Sequence, residues 1–351
     1  MKEKPTCLLH LPLGEWCSTF NLEEAICNHG FFMMSPNNWI PSTKSLQRPL
    51  RLSDSTKSIN VSISIDEQNC LIARALDDDV NEVVSKLTAA GRQVIRKQIT
   101  RMLRLTERDE KDVRDFQNIH QQAKQKGFGR LFRSPSLFED IVKSILLCNS
   151  SWTKTLSMAR ALCKLQPELI KDDDNDSNSS KPKSVENFPT SRELTNLMNK
   201  DLMRELRNNL GYRADYILKF ARKIERGQLN IQFLEEAPWE QVYKLLMKNK
   251  GFGPFVCANV LACIGFYHKV PTDTETIRHL QEAHSMKSNR KTVGKDVKEV
   301  YDQYAPFQSL AYWFELLGGY ESKFGKLSEL DNSKYDFVTA TRKPSPLLRK
   351  Q

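Results

Sequence analysis

The sequence predicts a mainly α-helical protein with a smaller N-terminal α+β domain that contains an antiparallel sheet. Two short runs between residues 59 and 76 alternate apolar and polar side chains, as strands with one buried face do. From residue 136 onward, apolar residues recur at helical spacing in segments that open with capping residues. The chain has 351 residues, which is enough for two domains of ordinary size.

These patterns divide the chain into four parts. An N-terminal α+β domain is predicted for residues 1–110, and an all-α domain for residues 127–170 and 188–330. Residues 171–187 are acidic and serine-rich with few apolar side chains, so we expect a disordered loop there. Residues 331–351 contain prolines and basic residues and are predicted to form a flexible tail.

In the N-terminal domain, INVSISI at residues 59–65 and CLIARAL at residues 70–76 surround a polar turn, which predicts a β-hairpin. Residues 79–103 have helical spacing that is interrupted at Gly91. Charged residues dominate residues 106–126, and this stretch is predicted to be a connector.

Two helix starts in the all-α domain carry the spacing of a capping box, Ser136 with Glu139 and Thr190 with Glu193. The first of them also has Pro135 beside the predicted helix start. Further helices follow, and residues 304–324 are predicted to form the last structured segment.

The composition restricts the class of protein without deciding it. The net charge of +10 suits a polyanionic partner such as nucleic acid or an anionic membrane surface, and it also occurs in proteins that bind neither. No apolar run approaches the roughly 20 residues of a membrane span, so no membrane partner is expected. The eight cysteines lack zinc-site spacing, and nothing after Cys263 could hold a four-cysteine iron–sulfur cluster. A reduced intracellular protein is the simple interpretation.

The stretch NKGFGPFVCANVLACIGF, residues 249–266, predicts a helical hairpin. An amphipathic helix must end near Lys250, because Gly251 and Gly253 favour backbone angles that other residues resist. Pro254 then stands in the first turn of the next helix. Such a hinge directs unpaired N–H groups outward, where they can bind a phosphate. An ordinary corner between two helices is the alternative.

Asp273, in VPTDTETI, is predicted to cap the next helix, with Thr272 and Glu275 offering a rival capping box. A carboxylate at a helix N-terminus is held ionised and rigid. A reaction that passes through a sugar cation needs such a group, so Asp273 has a structural and a catalytic interpretation.

The hairpin, with Asp273 placed 18 residues after Phe255, resembles the helix-hairpin-helix, Gly/Pro-Asp DNA glycosylase superfamily. CNSSW, which follows an apolar helix, and LGYRADYI resemble two further segments of that family. The N-terminal domain resembles the extra β-domain of 8-oxoguanine DNA glycosylase and bacterial 3-methyladenine DNA glycosylase II. The resemblance extends over roughly residues 15–330.

The resemblance implies a role for each matching residue. Asp273 would be the catalyst, stabilising an oxocarbenium-like sugar or activating water. Asn149 would fill the place of an extruded base, and Arg213 would hydrogen-bond the base left opposite. The remaining DNA contacts would come from Lys250, Gly251, Phe252, Gly253, Pro254, Phe255 and Thr274. A monovalent cation, K⁺ or Na⁺, would bind the carbonyls of Met247, Asn249 and Phe252. Without the resemblance, Asn149 reads as a helix C-cap and Arg213 as half of a surface ion pair.

The sequence departs from the family pattern at two positions. Relatives that also cut the DNA strand carry a nucleophilic lysine where this chain has Phe255, and Lys250 lies before the hairpin and points elsewhere. This predicts a monofunctional enzyme that uses water. Glu275 stands where relatives often have His or Asn, and an extra carboxylate near DNA is unfavourable.

Pocket residues are also suggested, each with core packing as the alternative. Gly30 matches a pocket glycine of the 8-oxoguanine enzymes, and Trp152, Phe255 and Trp313 are candidates for stacking on a base. The predicted function is excision of a damaged base from duplex DNA, and the predicted base is a purine. The predicted function implies a monomer that is located in the nucleus, with an organelle as the alternative location. Two alternatives remain open: a lesion-binding protein without catalysis, and a helical scaffold whose charge is incidental.

Overall fold

A computed structural model describes residues 7–14, 19–52, 57–76, 87–170, 185–197 and 199–339. An antiparallel sheet near the N-terminus is followed by a larger helical part, which confirms the predicted fold class. The described chain contains no helix with the length and apolar character that a membrane crossing requires.

The sheet has five antiparallel strands in the order β1-β5-β4-β3-β2. Its strands are β1 Cys7–Pro12, β2 Asn38–Ile40, β3 Ser45–Arg51, β4 Ser58–Ile65 and β5 Cys70–Ala75. The predicted hairpin is formed by β4 and β5. Ile59, Val61 and Ile63 of β4 are fully buried, as the alternating pattern requires.

The helical part begins after the sheet, and one short helix lies between β1 and β2. The helices are α1 Leu22–Ile26, α2 Ala89–Met102, α3 Glu107–Ile119, α4 Gln121–Gln125, α5 Leu137–Leu147, α6 Trp152–Leu169, α7 Ser191–Thr195, α8 Lys200–Leu210, α9 Arg213–Glu225, α10 Ile231–Glu236, α11 Trp239–Met247, α12 Pro254–Ile264, α13 Thr274–Ala283, α14 Val293–Tyr301 and α15 Gln308–Phe324.

A buried ion pair joins the sheet to the helical part. Arg48 of β3 lies 3.1 Å from the carboxylate of Glu139 in α5, and Lys143 lies 2.7 Å from the same carboxylate. Burial alone would raise the pKa of Glu139, but the two cations outweigh it and lower the pKa to about 2. The capping box predicted with Ser136 is therefore only half formed: Ser136 accepts from the Glu139 N–H, whereas the Glu139 side chain turns to the sheet. The second box, at Thr190, forms completely.

The predicted connector at residues 106–126 is wrong, because this stretch forms α3 and α4. Val113 and Phe116 give α3 a buried apolar face. Its acidic residues do not all remain in solvent, since Glu110 forms a buried ion pair with Arg130. Paired in this way, a strongly charged segment can pack against a core.

The helix predicted for residues 79–103 begins later in the structure. Thr88 caps α2 by accepting from the Gly91 N–H, and residues 77–86 lie outside the described chain. Gly91 stands in the first turn and interrupts nothing. A Cβ added there would come within 2.6 Å of Leu87 Cδ1, so the glycine makes room for that side chain.

Part of each segment predicted to lack structure is ordered. Asn187, at the end of the predicted loop 171–187, is buried and donates to Ser58 Oγ at 2.9 Å, while residues 171–184 lie outside the described chain. In the predicted tail, residues 332–337 form a 3-10 helix, and residues 340–351 are outside the described chain. Tyr335 of that helix is buried, and its carbonyl accepts from Trp152 Nε1 at 2.8 Å. Ordered structure therefore extends well past residue 324.

Candidate active site and nucleic-acid interface

The predicted hairpin lies between α11 and α12, and its two glycines differ. Gly251 has φ of +92°, and a Cβ there would approach Tyr216 Cδ2 to 2.4 Å, so no other residue fits without strain. Gly253 is extended, with φ −94° and ψ −179°, which any residue adopts. The expectation that both glycines need special angles is thus wrong for Gly253. Its missing side chain leaves open space, since an added Cβ would meet nothing within 4 Å.

The other hairpin residues divide between core and surface. The Phe252 side chain is buried, with its ring 4.8 Å from that of Phe220, so only its backbone can reach a ligand. Asn249 is also buried, and its side-chain oxygen accepts from Lys223 Nζ at 2.7 Å. Lys250 is exposed, and its Nζ lies 5.7 Å from the centre of the Tyr216 ring.

The predicted cation ligands occupy the same turn. Pro254 is the first residue of α12, as expected. The Asn249 carbonyl accepts from the Phe252 N–H at 3.1 Å, which closes the turn. Met247 ends α11 with an exposed side chain. The monovalent cation at these three carbonyls stays a prediction.

Asn149 projects from the turn after α5. Its φ is +47°, a left-handed angle that asparagine tolerates, and its side chain is exposed. Cys148 is the C-cap of the helix. Arg213 is buried beneath this turn: its Nε donates to the Cys148 carbonyl at 3.1 Å and its Nη2 to the Asn149 carbonyl at 2.9 Å. Arg213 therefore holds the Asn149 turn in place, and its predicted contact with an opposite base would compete with these bonds.

Two tyrosines that the sequence analysis did not single out connect the Asn149 turn to the hairpin. Tyr212 is 47% exposed, and its ring centre lies 4.7 Å from Arg213 Cζ and 5.4 Å from the ring centre of Tyr216. Tyr216 in turn touches Gly251. Asn149, Tyr212 and the hairpin thus lie along one continuous surface.

A cavity of about 460 Å³ opens between the N-terminal region and the helical part. The four predicted pocket residues, Gly30, Trp152, Phe255 and Trp313, all line it, and so do Asp273 and Thr274. A Cβ at Gly30 would lie only 3.2 Å from Trp152 Cη2, so a side chain there would crowd the cavity. Whether Gly30 acts as a pocket glycine stays a prediction.

Asp273 is the N-cap of α13. Its Oδ1 accepts from the Thr276 N–H at 3.0 Å, and the Thr276 hydroxyl lies 2.8 Å from the same oxygen. That hydroxyl is also 3.0 Å from Tyr312 Oη, and this hydrogen bond helps to fix its position. Among the residues that the structure describes, none hydrogen-bonds to Oδ2 of Asp273. The carboxylate is therefore fixed by one oxygen, and the other is available to a ligand.

Glu275 does not form the rival cap. Its carboxylate pairs with Arg278, whose Nε lies 3.0 Å from Oε2, and Tyr320 donates to Oε1 at 3.0 Å. The side chain is 23% exposed. Because its charge is compensated within the protein, Glu275 repels DNA less than the sequence analysis expected.

Three residues that line the cavity carry buried polar atoms without a hydrogen-bond partner in the described chain: His29 Nδ1, Ser150 Oγ and Trp313 Nε1. Burial lowers the pKa of His29 to about 3, with Arg104 and Lys143 adding to the effect, so the imidazole is neutral at physiological pH. Buried polar groups nearly always have partners. These three atoms leave hydrogen-bonding groups at the cavity wall that a polar ligand could pair with.

Comparisons with known proteins give the fold. No family model matches the sequence, and neither does any curated protein. The 3-methyladenine DNA glycosylase from Archaeoglobus fulgidus superimposes with a TM-score of 0.55 and 17% identity, over 90% of this chain and 97% of that one. A structure of MBOgg1 in complex with a low-affinity DNA ligand gives a TM-score of 0.54 at 20% identity, over 87% and 93%.

The apo form of the 8-oxoguanine glycosylase/lyase from Clostridium acetobutylicum gives a TM-score of 0.54 at 14% identity, over 82% of this chain and 92% of that one. At such identities the likeness concerns the arrangement of the chain. It covers nearly the whole of each neighbour. The chain therefore has the two-domain fold of the helix-hairpin-helix, Gly/Pro-Asp DNA glycosylases.

Proposed function

We propose that this protein is a DNA glycosylase of base excision repair. It would bind duplex DNA, extrude a damaged base and hydrolyse the bond between that base and its sugar. The observation that carries the proposal is Asp273, held rigidly by Thr276 with one oxygen available, at the edge of an aromatic-lined cavity of about 460 Å³. Pockets of this size and character hold molecules as large as a purine base.

Binding to DNA would use the continuous surface beside the cavity. The N–H groups of the hinge and of the first turn of α12 would bind a backbone phosphate, which the open space at Gly253 allows to approach closely. Asn149, on its exposed turn, would enter the duplex in place of the extruded base. Exposed Tyr212, whose ring lies against Arg213, would stack on a neighbouring base.

The base would be held in the cavity by stacking and by polar contacts. Trp152, Phe255 and Trp313 would supply aromatic surface. His29, Ser150 and Trp313 carry buried polar atoms that lack partners and could hydrogen-bond the edge of a base. These contacts favour a purine, whose two rings offer more stacking area and more edge atoms than a pyrimidine.

The chemistry would follow the geometry of Asp273. As the C–N bond breaks, its electron pair leaves with the base, which takes a proton from solvent, and positive charge develops at the sugar C1′. The carboxylate stabilises that charge, and water supplies the hydroxyl group that completes hydrolysis. Asp273 would accept the proton that the water loses and then release it to solvent.

Strand cleavage is not part of the proposal. The side chain at the position of the nucleophilic lysine is Phe255, and it lines the cavity. No lysine lines the cavity in the part of the chain that the structure describes. The proposed enzyme would therefore form no covalent imine with the sugar, since that step needs an amine near C1′. The protein would act as a monomer in the nucleus or in an organelle that contains DNA.

The proposal is tested by measuring base release from short DNA duplexes, each with one oxidised, alkylated or deaminated base. We expect release of at least one class of purine lesion, and no covalent complex after borohydride reduction, because Phe255 replaces the amine. Release together with a trapped complex would contradict the monofunctional proposal alone. Salt-dependent DNA binding without any release would favour the inactive lesion-binding alternative, and the absence of both would favour a scaffold.

A further inference from the structure

A second polar cluster lies outside the cavity, between α13, α14 and α15. His284 Nε2 is 2.8 Å from Glu315 Oε2, and His279 Nε2 is 3.3 Å from the same oxygen. Tyr301 donates to that oxygen at 2.6 Å, and its hydroxyl is 3.0 Å from His279 Nε2. Two imidazoles and a phenol therefore converge on one carboxylate oxygen.

The cluster has the composition and spacing of a transition-metal site. Two imidazole nitrogens and one carboxylate oxygen are an established zinc ligand set, which leaves one tetrahedral position for water. Ligand atoms roughly 2.0–2.2 Å from a tetrahedral ion lie about 3.3 Å from one another. The ligand atoms of His279, His284 and Glu315 all lie within 4.8 Å of one another, so small side-chain movements would admit an ion.

The solvent exposure of the three ligands and the residue behind them agree with a metal site. His279 is nearly buried at 5% side-chain exposure, whereas His284 and Glu315 are a quarter exposed. An ion could therefore enter from solvent and keep a water ligand. Tyr301 is fully buried and would orient the Glu315 carboxylate from outside the ligand set, as hydrogen-bonding groups behind metal ligands do.

We propose that His279, His284 and Glu315 bind a divalent transition-metal ion of the zinc class, with Tyr301 as an outer hydrogen-bonding partner. Nitrogen ligands favour such ions over Mg²⁺ and Ca²⁺, which prefer oxygen. The ion would join the helix that Asp273 caps to the helix that carries Trp313, and it would hold the two sides of the cavity together. Its role is structural, and it does not depend on the proposed reaction.

The test uses the untagged full-length chain, stripped of metal by a chelator and dialysed against Zn²⁺, with Co²⁺ as a spectroscopic substitute. We expect one ion per chain and a rise in melting temperature with Zn²⁺. Y301F should lower the affinity by about 10–100-fold, and H284A and E315Q should each lower it by more than Y301F does. The control is H10A, because His10, Asp66 and Cys70 form another group that could attract zinc.

Three results would overturn the proposal. Zinc binding that H284A leaves unchanged, or that H10A abolishes, would place the ion elsewhere. Failure to bind one equivalent of Zn²⁺ would leave a hydrogen-bonded cluster alone. In that case E315Q would lower the melting temperature equally with and without Zn²⁺, whereas a metal site predicts that the difference appears mainly with the ion present.

Discussion

Replacing Asp273 by asparagine is expected to slow base release by about 10²–10³-fold, the usual effect of removing one group that stabilises charge in the transition state. Asparagine caps a helix as well as aspartate does, so D273N should keep the bond from the Thr276 N–H and the melting temperature of the natural protein. The loss would therefore report the missing negative charge. Single-turnover kinetics on the best lesion duplex would measure it.

A matched control removes a carboxylate charge far from the cavity. Asp201 lies on α8 in an exposed ion pair with Arg204, and D201N should release base at the natural rate. If D273N were as active as D201N, Asp273 would be a helix cap and no catalyst. If both variants lost activity equally, the effect would come from net charge.

A single methyl group should affect the stability of the protein differently at the two hairpin glycines. G251A forces a left-handed φ of +92° on alanine and drives its Cβ against Tyr216, so we expect a loss of about 1–3 kcal/mol of stability together with weaker DNA binding. G253A adds a methyl group to an extended residue with open space around it. Its stability should stay within about 0.5 kcal/mol of the natural protein.

DNA binding by G253A separates the phosphate site from an ordinary corner between helices. A methyl group at Gly253 stands where a phosphate would approach, so affinity for duplex DNA should fall and the dependence of affinity on salt should become less steep. Melting curves and salt titrations on both variants would measure these effects. Natural affinity in G253A, at unchanged stability, would contradict a phosphate contact at this hinge.

The parts of the site that the sequence predicted are those set by local chemistry. Asp273 caps α13 through a residue three positions away, Pro254 opens α12, and Gly251 takes the angle that only glycine adopts freely. The alternating pattern of β4 likewise follows from neighbours along the chain. Such features need no knowledge of distant partners.

What the sequence could not predict depends on partners far along the chain. The helix α3 has buried acids because Arg130 lies opposite Glu110. His29 meets Trp313 only after the whole domain has folded, with their ring centres 4.5 Å apart. The prediction of a flexible tail was wrong for its first residues, because its few apolar side chains, Tyr335 among them, can anchor it to the domain once Trp152 donates a hydrogen bond. Tyr212 could have been found from the sequence, because it is an aromatic residue at the polar N-terminus of α9.

Asp273 is proposed to stabilise positive charge on the sugar of an extruded nucleotide, and a comparison of two DNA ligands tests this role without knowledge of the lesion. Equilibrium binding would be compared for two duplexes, one with a cationic pyrrolidine in place of a sugar and one with a neutral tetrahydrofuran. Because analogues of a transition state bind more tightly than neutral ligands, the natural protein should prefer the cation by at least about tenfold, and D273N should lose that preference. Equal affinity of the natural protein for both duplexes would contradict the account.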